Sequence, residues 1–342
     1  MGADVIKIEP PEGDESRHMG PFPSDGPHPE KSGLFLALNI NKKGVTLDLT
    51  TEEGASAFRK LAKTADIVVD NLPLGHLNNL GFGYDTLREN TPGIIVTSIT
   101  PFGNRGVNMN WKATDLTLFH MSSNASGLLG PVEDPDTEPP IRAGGHQSEF
   151  VAGMAATTAS LIALFQKRMT GNGSHVDVSE YEAMVNQTIA GLANSAYGRP
   201  APTRSLKEVR ETYISGMAGA IGGVLPTNDG YVAISPREDA QWERWLGVMG
   251  NPEWAQLEMF QDMFTRAQNS DLIYQMIQEW SAEHGKMEIM EKCQAAGCPV
   301  TAVFTVAEAA DHEHLKARDY IVDLQHPALG QIRTLGAPFK LP

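Results

Sequence analysis

The chain has 342 residues, 41% of them hydrophobic and 20% charged, which is typical of a folded globular protein long enough for about two domains. Its formal net charge of −15 argues against a nucleic-acid-binding protein but not against binding of a small anion in one locally basic cleft. No stretch has the composition of a membrane span or of a secretory signal. The two cysteines, Cys293 and Cys298, favour neither a disulfide scaffold nor a zinc site. A cytoplasmic protein is therefore predicted.

The first hundred residues alternate predicted strands and helices. Strands are expected at 3–9, 67–70 and 94–99, and helices at 52–65 and 84–90. Alternation of this kind is typical of a doubly wound parallel sheet. By this pattern the chain is expected to enter that sheet in its middle, without the first strand and helix that such a unit usually has.

The middle of the chain is predicted to be mainly helical. A long apolar helix over 148–168 ends at the glycines of 171–173, and the strand HVDVS follows at 175–179. A second helix is expected over 180–198. The polar, proline-bearing segment 199–211 then reads as a linker.

The C-terminal part has the composition of a second, smaller domain. A glycine-rich stretch at 215–223 precedes a hairpin over 224–234, which is expected to turn at Asn228, Asp229 and Gly230. Amphipathic helices rich in tryptophan are predicted within 238–296. A short strand and a last helix, over 306–319, follow.

Several of these segments together resemble one known family, the class III CoA-transferases. This is the carnitine/bile-acid CoA-transferase (CaiB/BaiF) family, whose fold the alpha-methylacyl-CoA racemases share. The segments are GADVIKIEPPEGD, LNINKKGVTLDL, DIVVDN with LGFGYDTL, RMTGNGSHVDVSEYEA, LPTNDGYVAI and HPALGQIRTLGAPFKL. They occur in the family's order over nearly the whole chain.

The resemblance implies an α/β fold with two domains. A Rossmann-like large domain with a doubly wound parallel sheet is expected over 1–200, lacking its first strand and helix, and a smaller α+β domain over 201–305. Residues 306–342 would return to the large domain and stop short of the family's usual end. Members of the family form interlaced homodimers, so a homodimer is the expected assembly.

The stretch AGGHQSEFVAG, residues 143–153, carries the predicted catalytic residue. The family transfers its acyl group through an aspartate four residues before a glycine that opens a helix, and the matching position here is Glu149. A carboxylate at a helix start is favoured in its ionised, attacking form. The alternative is that Glu149 only caps backbone N–H groups of the helix.

Two glycine segments are expected to assist that carboxylate. Backbone N–H groups of Gly144 and Gly145 would stabilise an oxyanion. By resemblance, the later glycine run would form a mobile loop over the carboxylate and exclude water, with a plain interdomain linker as the alternative. The loop glycines are Gly216, Gly219, Gly222 and Gly223.

CoA is the expected substrate, and four residues match family positions that contact it. They are Arg17, Lys42, Asn71 and Lys112, which we expect in loops at strand ends, where open parallel sheets bind ligands. The family's arginine beside Lys42 is a lysine here, and the family's aromatic residue after Asn71 is Leu72. The alternative for these cations is a solvated surface position.

The sequence leaves three other functions open. An acyl-CoA racemase is disfavoured because Thr114 occupies the position of its catalytic histidine, although His146 lies near Glu149 in sequence. A catalytically silent subunit that pairs with an active paralogue, and a protein that only binds CoA thioesters, also remain. No Walker loop, no GxGxxG motif and no HExxH motif occurs, so neither NAD nor a metal is expected. The acceptor is expected to be a small carboxylic acid.

Overall fold

The structure is a computed structural model that describes residues 2–24, 26–128, 132, 134–198, 204, 223–236, 238–327 and 329–340. Its described residues divide into two compact units. The first unit lies within Met1–Arg204 and Gln325–Gly330. The second lies within Ser205–Leu324 and Gln331–Pro342. Of the segment 306–342, which we expected to return to the large domain, only Gln325–Gly330 groups with the first unit.

The first unit begins with a two-stranded parallel sheet. Strand β1 (Ile6–Glu9) pairs with β2 (Lys43–Thr46), and the short helix α1 (Gly33–Leu38) connects them. Helix α2 (Glu52–Thr64) follows and begins at Thr51, whose side-chain oxygen accepts a hydrogen bond from the Gly54 amide.

A three-stranded parallel sheet follows in the order β3-β4-β5. It consists of β3 (Ile67–Asp70), β4 (Ile95–Thr100) and β5 (His175–Ser179). Between β3 and β4 lie α3 (His76–Asn79) and α4 (Tyr84–Asn90). The parallel sense is as predicted, but within the described residues the strands form two separate small sheets rather than one continuous sheet.

The two sheets share a hydrophobic core with α2. Phe58 and Ala62 of α2 are buried together with Ile94 and Val96, and Ile8 of β1 packs against the same cluster. Burial of this apolar surface stabilises the unit by about 25 cal/mol per Å².

Three helices lie between β4 and β5, and the first and the last of them carry residues of the site described below. They are α5 (Asp115–Met121), α6 (Asn124–Leu128) and the long α7 (Gln147–Thr170). Helix α7 ends at Gly171, whose φ of 78° is left-handed, as the glycine C-cap predicted.

Helix α7 buries its small side chains and exposes its large apolar ones. Small residues such as Ala152, Ala156 and Ser160 are buried, and Ser160 Oγ lies 2.7 Å from Thr97 Oγ1 of β4. Large apolar side chains on the other side are exposed: Phe150, Met154, Leu161, Ile162, Phe165 and Met169.

The prediction that no segment suits a membrane span needs correction for α7. Among the described helices it alone is long and apolar enough to cross a bilayer, by length and composition. The sequence expectation failed because glycines and threonines interrupt the apolar run without removing its apolar character. One such helix is weak evidence, since core helices of soluble proteins meet the same test.

The predicted helix over 180–198 is also not continuous. Helix α8 (Glu180–Val185) is followed by a 3-10 turn at Asn186–Thr188 and then by α9 (Ile189–Ala196). The Thr188 hydroxyl donates to the Val185 carbonyl at 2.8 Å, and Thr188 leaves helical geometry at φ −103°, ψ 21°. A local side-chain bond of this kind competes with the helix.

The second unit contains an antiparallel sheet in the order β6-β7-β8. The predicted hairpin is confirmed: β6 (Gly223–Thr227) pairs with β7 (Gly230–Ile234), and β8 (Val300–Ala302) joins β7. Around it lie four helices: α10 (Asp239–Val248), α11 (Met263–Gln268), α12 (Ser270–Ser281) and α13 (Lys286–Ala295).

The core of this unit is large and aromatic. Trp242, Trp245, Phe260, Ile277 and Ile289 are all buried in one cluster. Cys293 and Cys298 lie in the same cluster as free thiols. A stable core of this size explains why the tryptophan-bearing helices form, because their apolar stripes have a common surface to cover.

The last part of the chain is built from short elements. The predicted helix over 306–319 is divided into α14 (Val306–Asp311) and α15 (Glu313–Ala317), because His312 between them is extended at φ −64°, ψ 130°. Strands β9 (Ile321–His326) and β10 (Gly330–Leu335) pair with each other.

Candidate functional site

The carboxylate of Glu149 lies in the first turn of α7. Its side chain is 54% exposed, and its Oε2 lies 2.7 Å from Nδ1 of His146. His146 is the N-cap residue of the helix, but its side chain makes no capping hydrogen bond. The sequence left open that Glu149 caps the helix, but among the described groups its one close polar partner is this imidazole.

Capping of α7 is done instead by Asp115, the first residue of α5. Its Oδ1 accepts from the Ser148 amide at 2.8 Å and from the Ser148 hydroxyl at 3.1 Å. Both Asp115 and Ser148 are buried. A carboxylate from another element therefore satisfies a free N–H group of the helix, which leaves Glu149 available for other contacts.

Arg142 holds Asp115 in place from the segment before α7. Its Nη1 donates to Asp115 Oδ2 at 2.6 Å and lies 3.5 Å from the Gly145 carbonyl oxygen. A buried carboxylate needs such a partner to remain ionised without a large cost. Arg142 thus links the glycine segment, α5 and the start of α7.

A further carboxyl group, that of Glu180, lies beside Glu149. Glu180 is the first residue of α8, directly after β5. Burial raises the pKa of Glu180, and the negative charges of Glu149 and Asp115 raise it further, whereas hydrogen bonding with Ser148 acts in the opposite direction. Burial and like charges disfavour the ionised form of a carboxyl group.

The glycines predicted to stabilise an oxyanion lie beside these groups. Gly145 has a φ of 84°, a left-handed conformation that favours glycine, and nothing lies within 4 Å of an ideal Cβ on Gly144. Of the predicted loop glycines, Gly223 is the first residue of β6. Gly216, Gly219 and Gly222 lie outside the described residues.

Arg17, a predicted CoA contact, is largely engaged within the protein. Its Nε and Nη2 donate to the Glu9 carboxylate at 2.6 and 3.0 Å, and its Nη1 donates to Glu30 Oε1 at 2.9 Å. The guanidinium carbon lies 3.8 Å from the ring centroid of Phe35. This bidentate pair lowers the pKa of Glu9 and makes Arg17 a structural anchor for the loop after β1.

The other three predicted CoA contacts lie at the surface. Asn71 directly follows β3, at the carboxyl end of the sheet, and Lys112 lies in the segment between β4 and α5. Lys42 precedes β2 and donates to Asn39 Oδ1 at 3.0 Å. It therefore lies in a strand-end loop, at the amino end of β2, and partial desolvation followed by the charge of Lys7 lowers its pKa.

Thr114, which by the family resemblance occupies the position of the racemases' histidine, has a structural role. It is the N-cap of α5, and its amide donates to Thr117 Oγ1 at 2.9 Å. Among the described residues, no group of three or more His, Cys, Asp or Glu side chains is arranged to hold a metal ion.

Sequence reasoning missed Asp115, Arg142, Ser148 and Glu180. Asp115 and Glu180 have an ordinary local explanation, because they begin helices, where acidic residues are common. Their association with the site is visible only in the folded chain, where the starts of helices α5, α7 and α8 lie close together.

A family model, that of CoA-transferase family III, matches residues 1–342. The succinyl-CoA:mesaconate CoA-transferase of Haloarcula hispanica is 28% identical over 342 residues, covering 100% of this chain and 84% of that protein. The formyl-CoA:oxalate CoA-transferase of Streptomyces avermitilis is 29% identical over 356 residues, covering 100% of this chain and 83% of that protein.

Two further similarities bear on assembly and fold. Subunit BbsE of the succinyl-CoA:(R)-benzylsuccinate CoA-transferase of Thauera aromatica is 30% identical over 359 residues, covering 99% of this chain and 82% of that subunit. The crystal structure of a CaiB/BaiF family protein from Brucella suis matches with a TM-score of 0.83 at 27% identity, covering 99% of this chain and 85% of that one.

The chain belongs to CoA-transferase family III. It is an enzyme of the transferase type that uses CoA thioesters as substrates, with the α/β architecture and parallel sheets of the CaiB/BaiF proteins.

Proposed function

We propose that this enzyme moves CoA between a dicarboxylic acid thioester and a second dicarboxylic acid through covalent intermediates on Glu149. The observation that carries the proposal is the placement of Glu149 in the first turn of α7, exposed, while Asp115 performs the capping. The helix dipole favours negative charge there, and the ionised carboxylate is the form that attacks.

The chemistry needs only acyl exchange between oxygen and sulfur. A Glu149 oxygen attacks the thioester carbonyl carbon, the C–S bond breaks, and CoA leaves as thiolate, which gives a mixed anhydride of Glu149 and the donor acid. The thiolate attacks the Glu149 carbonyl carbon, which releases the donor acid as carboxylate and forms a glutamyl-CoA thioester. The acceptor carboxylate and then the thiolate repeat these steps in reverse, which regenerates Glu149.

The segment before α7 is suited to support these intermediates. N–H groups of Gly144 and Gly145 are the proposed donors to the oxyanion of each tetrahedral intermediate. Glutamate is one methylene longer than the aspartate that the family resemblance implies, and a displacement of about 1 Å can cost on the order of 100-fold in rate. The His146 contact at 2.7 Å restrains the longer side chain.

The names of the relatives support a dicarboxylic acid as the acceptor. Those described above act on succinyl-CoA with mesaconate or benzylsuccinate, or on formyl-CoA with oxalate. A fourth, from Agrobacterium fabrum, is a succinate–glutarate CoA-transferase. We infer succinyl-CoA as the donor and a small dicarboxylate as the acceptor.

For the CoA moiety we propose Asn71, Lys42 and Lys112 as contacts, all three of them exposed. Asn71 lies at the carboxyl end of β3, where ligands bind to open parallel sheets. Arg17 has few hydrogen-bond donors left for a phosphate, because most of its N–H groups already donate to protein oxygens.

We propose a homodimer in the cytoplasm as the working form. The exposed apolar stripe of α7 supports a second copy as its cover, because monomeric proteins rarely leave such large side chains together in water. Free thiols at Cys293 and Cys298 support a reducing compartment.

A second candidate is a silent subunit that needs an active paralogue. It is favoured by the similarity to BbsE, which is named as one subunit of its transferase. Glu149 in place of the family aspartate is compatible with that role. In this case the chain would bind CoA thioesters but form no covalent intermediate alone.

Exchange of isotope-labelled succinate into succinyl-CoA tests the proposal without knowledge of the acceptor. We expect exchange by the purified protein and a loss of at least about 100-fold in Glu149→Gln, because the amide oxygen is a poor nucleophile. The exposed Glu182 on α8 offers a control, since Glu182→Gln should keep the exchange rate. Equal exchange in wild type and Glu149→Gln would refute the proposal. CoA binding without exchange would favour the silent subunit.

A further inference from the structure

Glu180 is a half-buried carboxyl group that neither the fold nor the steps above require. It begins α8, which packs against both α5 and α7, and Met184 one turn further along α8 lies in a hydrophobic cluster against which Val151 near the start of α7 packs. This packing brings Glu180 to the side of the helix start, where the charges of Glu149 and Asp115 raise its pKa. Among the described residues no cation is paired with it. Burial without a counter-ion favours the neutral form of a carboxylic acid.

A hydrogen bond from the Ser148 hydroxyl would lower the pKa of Glu180, but that hydroxyl already donates to Asp115. The hydroxyl has a single hydrogen, which is directed to Asp115 Oδ1 at 3.1 Å. While that bond is made, Ser148 Oγ offers Glu180 only lone pairs, and a protonated Glu180 is the form that can donate to them. A Ser148 hydroxyl turned toward Glu180 would instead have to give up its bond to Asp115.

The charges around Glu180 can be assigned to the elements that pack against it. From α5 and the segment before α7 come Asp115 and Arg142, which pair at 2.6 Å and neutralise each other. From α7 come Glu149 and its partner His146. On β5, Asp177 is exposed and accepts from the Asn104 amide at 3.0 Å; Glu182 on α8 itself is also exposed. The net charge next to the nucleophile therefore depends on Glu149, His146 and Glu180.

We propose that Glu180 is a positioning residue whose protonation controls the approach of anions to Glu149, so that it acts as a gate. When Glu180 is protonated, Glu149 alone carries the local negative charge. When Glu180 is ionised, it repels the anionic acceptor and the returning CoA thiolate. The proposal rests on the proposed function of Glu149. Two adjacent carboxylates would face every incoming carboxylate with like charge, and such repulsion is strong where water is partly excluded. The gate is predicted to act on the acceptor step rather than on CoA binding.

The test compares wild type with Glu180→Gln in succinyl-CoA:succinate exchange across pH. The ratio of the two kcat/KM values for succinate, variant over wild type, cancels the ionisation of the substrate. Above the raised pKa of Glu180 we expect this ratio to grow by about tenfold per pH unit. The KM for succinyl-CoA should change far less than that for succinate. Glu182→Gln should follow the wild-type profile throughout.

A ratio that stays constant with pH would overturn the gate. The proposed function is tested separately, by whether succinyl-CoA labels Glu149 in the wild type. If Glu149 is labelled but the kcat/KM ratio is constant with pH, only the gate is overturned. If Glu149 is not labelled, the function on which the gate rests is overturned. Should Glu180→Gln fail to fold, Glu180→Asp provides the second variant. Its carboxyl is withdrawn by about one C–C bond, roughly 1.5 Å, so the alkaline limb should shift to lower pH. An unshifted limb would exclude the gate.

Discussion

Nδ1 of His146 lies 2.7 Å from Oε2 of Glu149, across the first turn of α7. The two side chains are three residues apart and lie on one face of the helix start, so the imidazole restrains the carboxylate directly. Groups that contact each other in this way cannot lie on opposite faces of a substrate carbon, as exchange of an α-proton by two acid–base groups would require. The pair therefore fits positioning of a nucleophile better than racemisation.

Removal of the imidazole should slow acyl transfer without preventing it. In His146→Ala we expect kcat for succinyl-CoA:succinate exchange to fall by about tenfold, because the carboxylate loses its restraint but keeps its chemistry. Steady-state kinetics would separate this fall from any change in KM. His146→Gln offers a hydrogen bond from a similar position and should recover part of the rate. Unchanged kcat in His146→Ala would show that the contact has no part in positioning.

The Asp115–Arg142 pair should contribute to stability as well as to the site. In Asp115→Ala the Ser148 amide loses its acceptor and Arg142 its partner, which should lower the free energy of unfolding by about 1–3 kcal/mol. Urea denaturation measures this difference. Arg88→Ala is the control: its pair with Asp85 is exposed, and such pairs contribute at most about 1 kcal/mol. Equal effects of the two variants would contradict the structural role of Asp115.

Acid should destabilise the first unit partly through Asp14. Burial acts to raise the pKa of Asp14, but hydrogen bonds from Lys7 and Ser16 outweigh it and lower the pKa from 3.8 to about 2. The folded state thus binds the proton more weakly than the unfolded chain, so this stabilisation is complete above about pH 5 and is lost as the pH falls through the folded pKa. The unfolding free energies of wild type and Asp14→Asn should converge from about pH 5 to about pH 2. A constant difference would refute the assignment.

The exposed stripe of α7 should mediate self-association. Phe165→Asp and Met169→Asp place charge on side chains that are 68% and 72% exposed, so the isolated chain should tolerate them, whereas an apolar interface should not. Sedimentation velocity should show a dimer for the wild type and a monomer for the double variant. Leu272→Asp, on an exposed position of α12, is the control. A wild-type monomer would contradict the proposed assembly.

Much of the fold could be predicted because its signals are local. The glycine that ends α7 and the Asn228-Asp229 turn of the β6–β7 hairpin act over a few residues, and both are confirmed. The interruption between α8 and α9 was missed because it depends on a single Thr188 hydroxyl bond within an otherwise helical pattern.

The site was only partly predictable, because its support comes from distant residues. Glu149 is predicted through a family pattern, whereas the role of Asp115 depends on its contact with Ser148 across two helices. Arg17 shows a similar limit: its type and position predict a phosphate contact, but they do not reveal the pair that its guanidinium makes with Glu9. Residue type alone does not reveal which partner a charge will find.

Mass spectrometry of the protein after incubation with succinyl-CoA tests the covalent role of Glu149 most directly. Trapping with hydroxylamine followed by peptide mapping should place the modification on Glu149, and Glu149→Gln should remain unmodified under the same conditions. Exchange activity in a protein with no modification at Glu149, or with the modification on another carboxylate such as Asp115 or Glu180, would contradict this role.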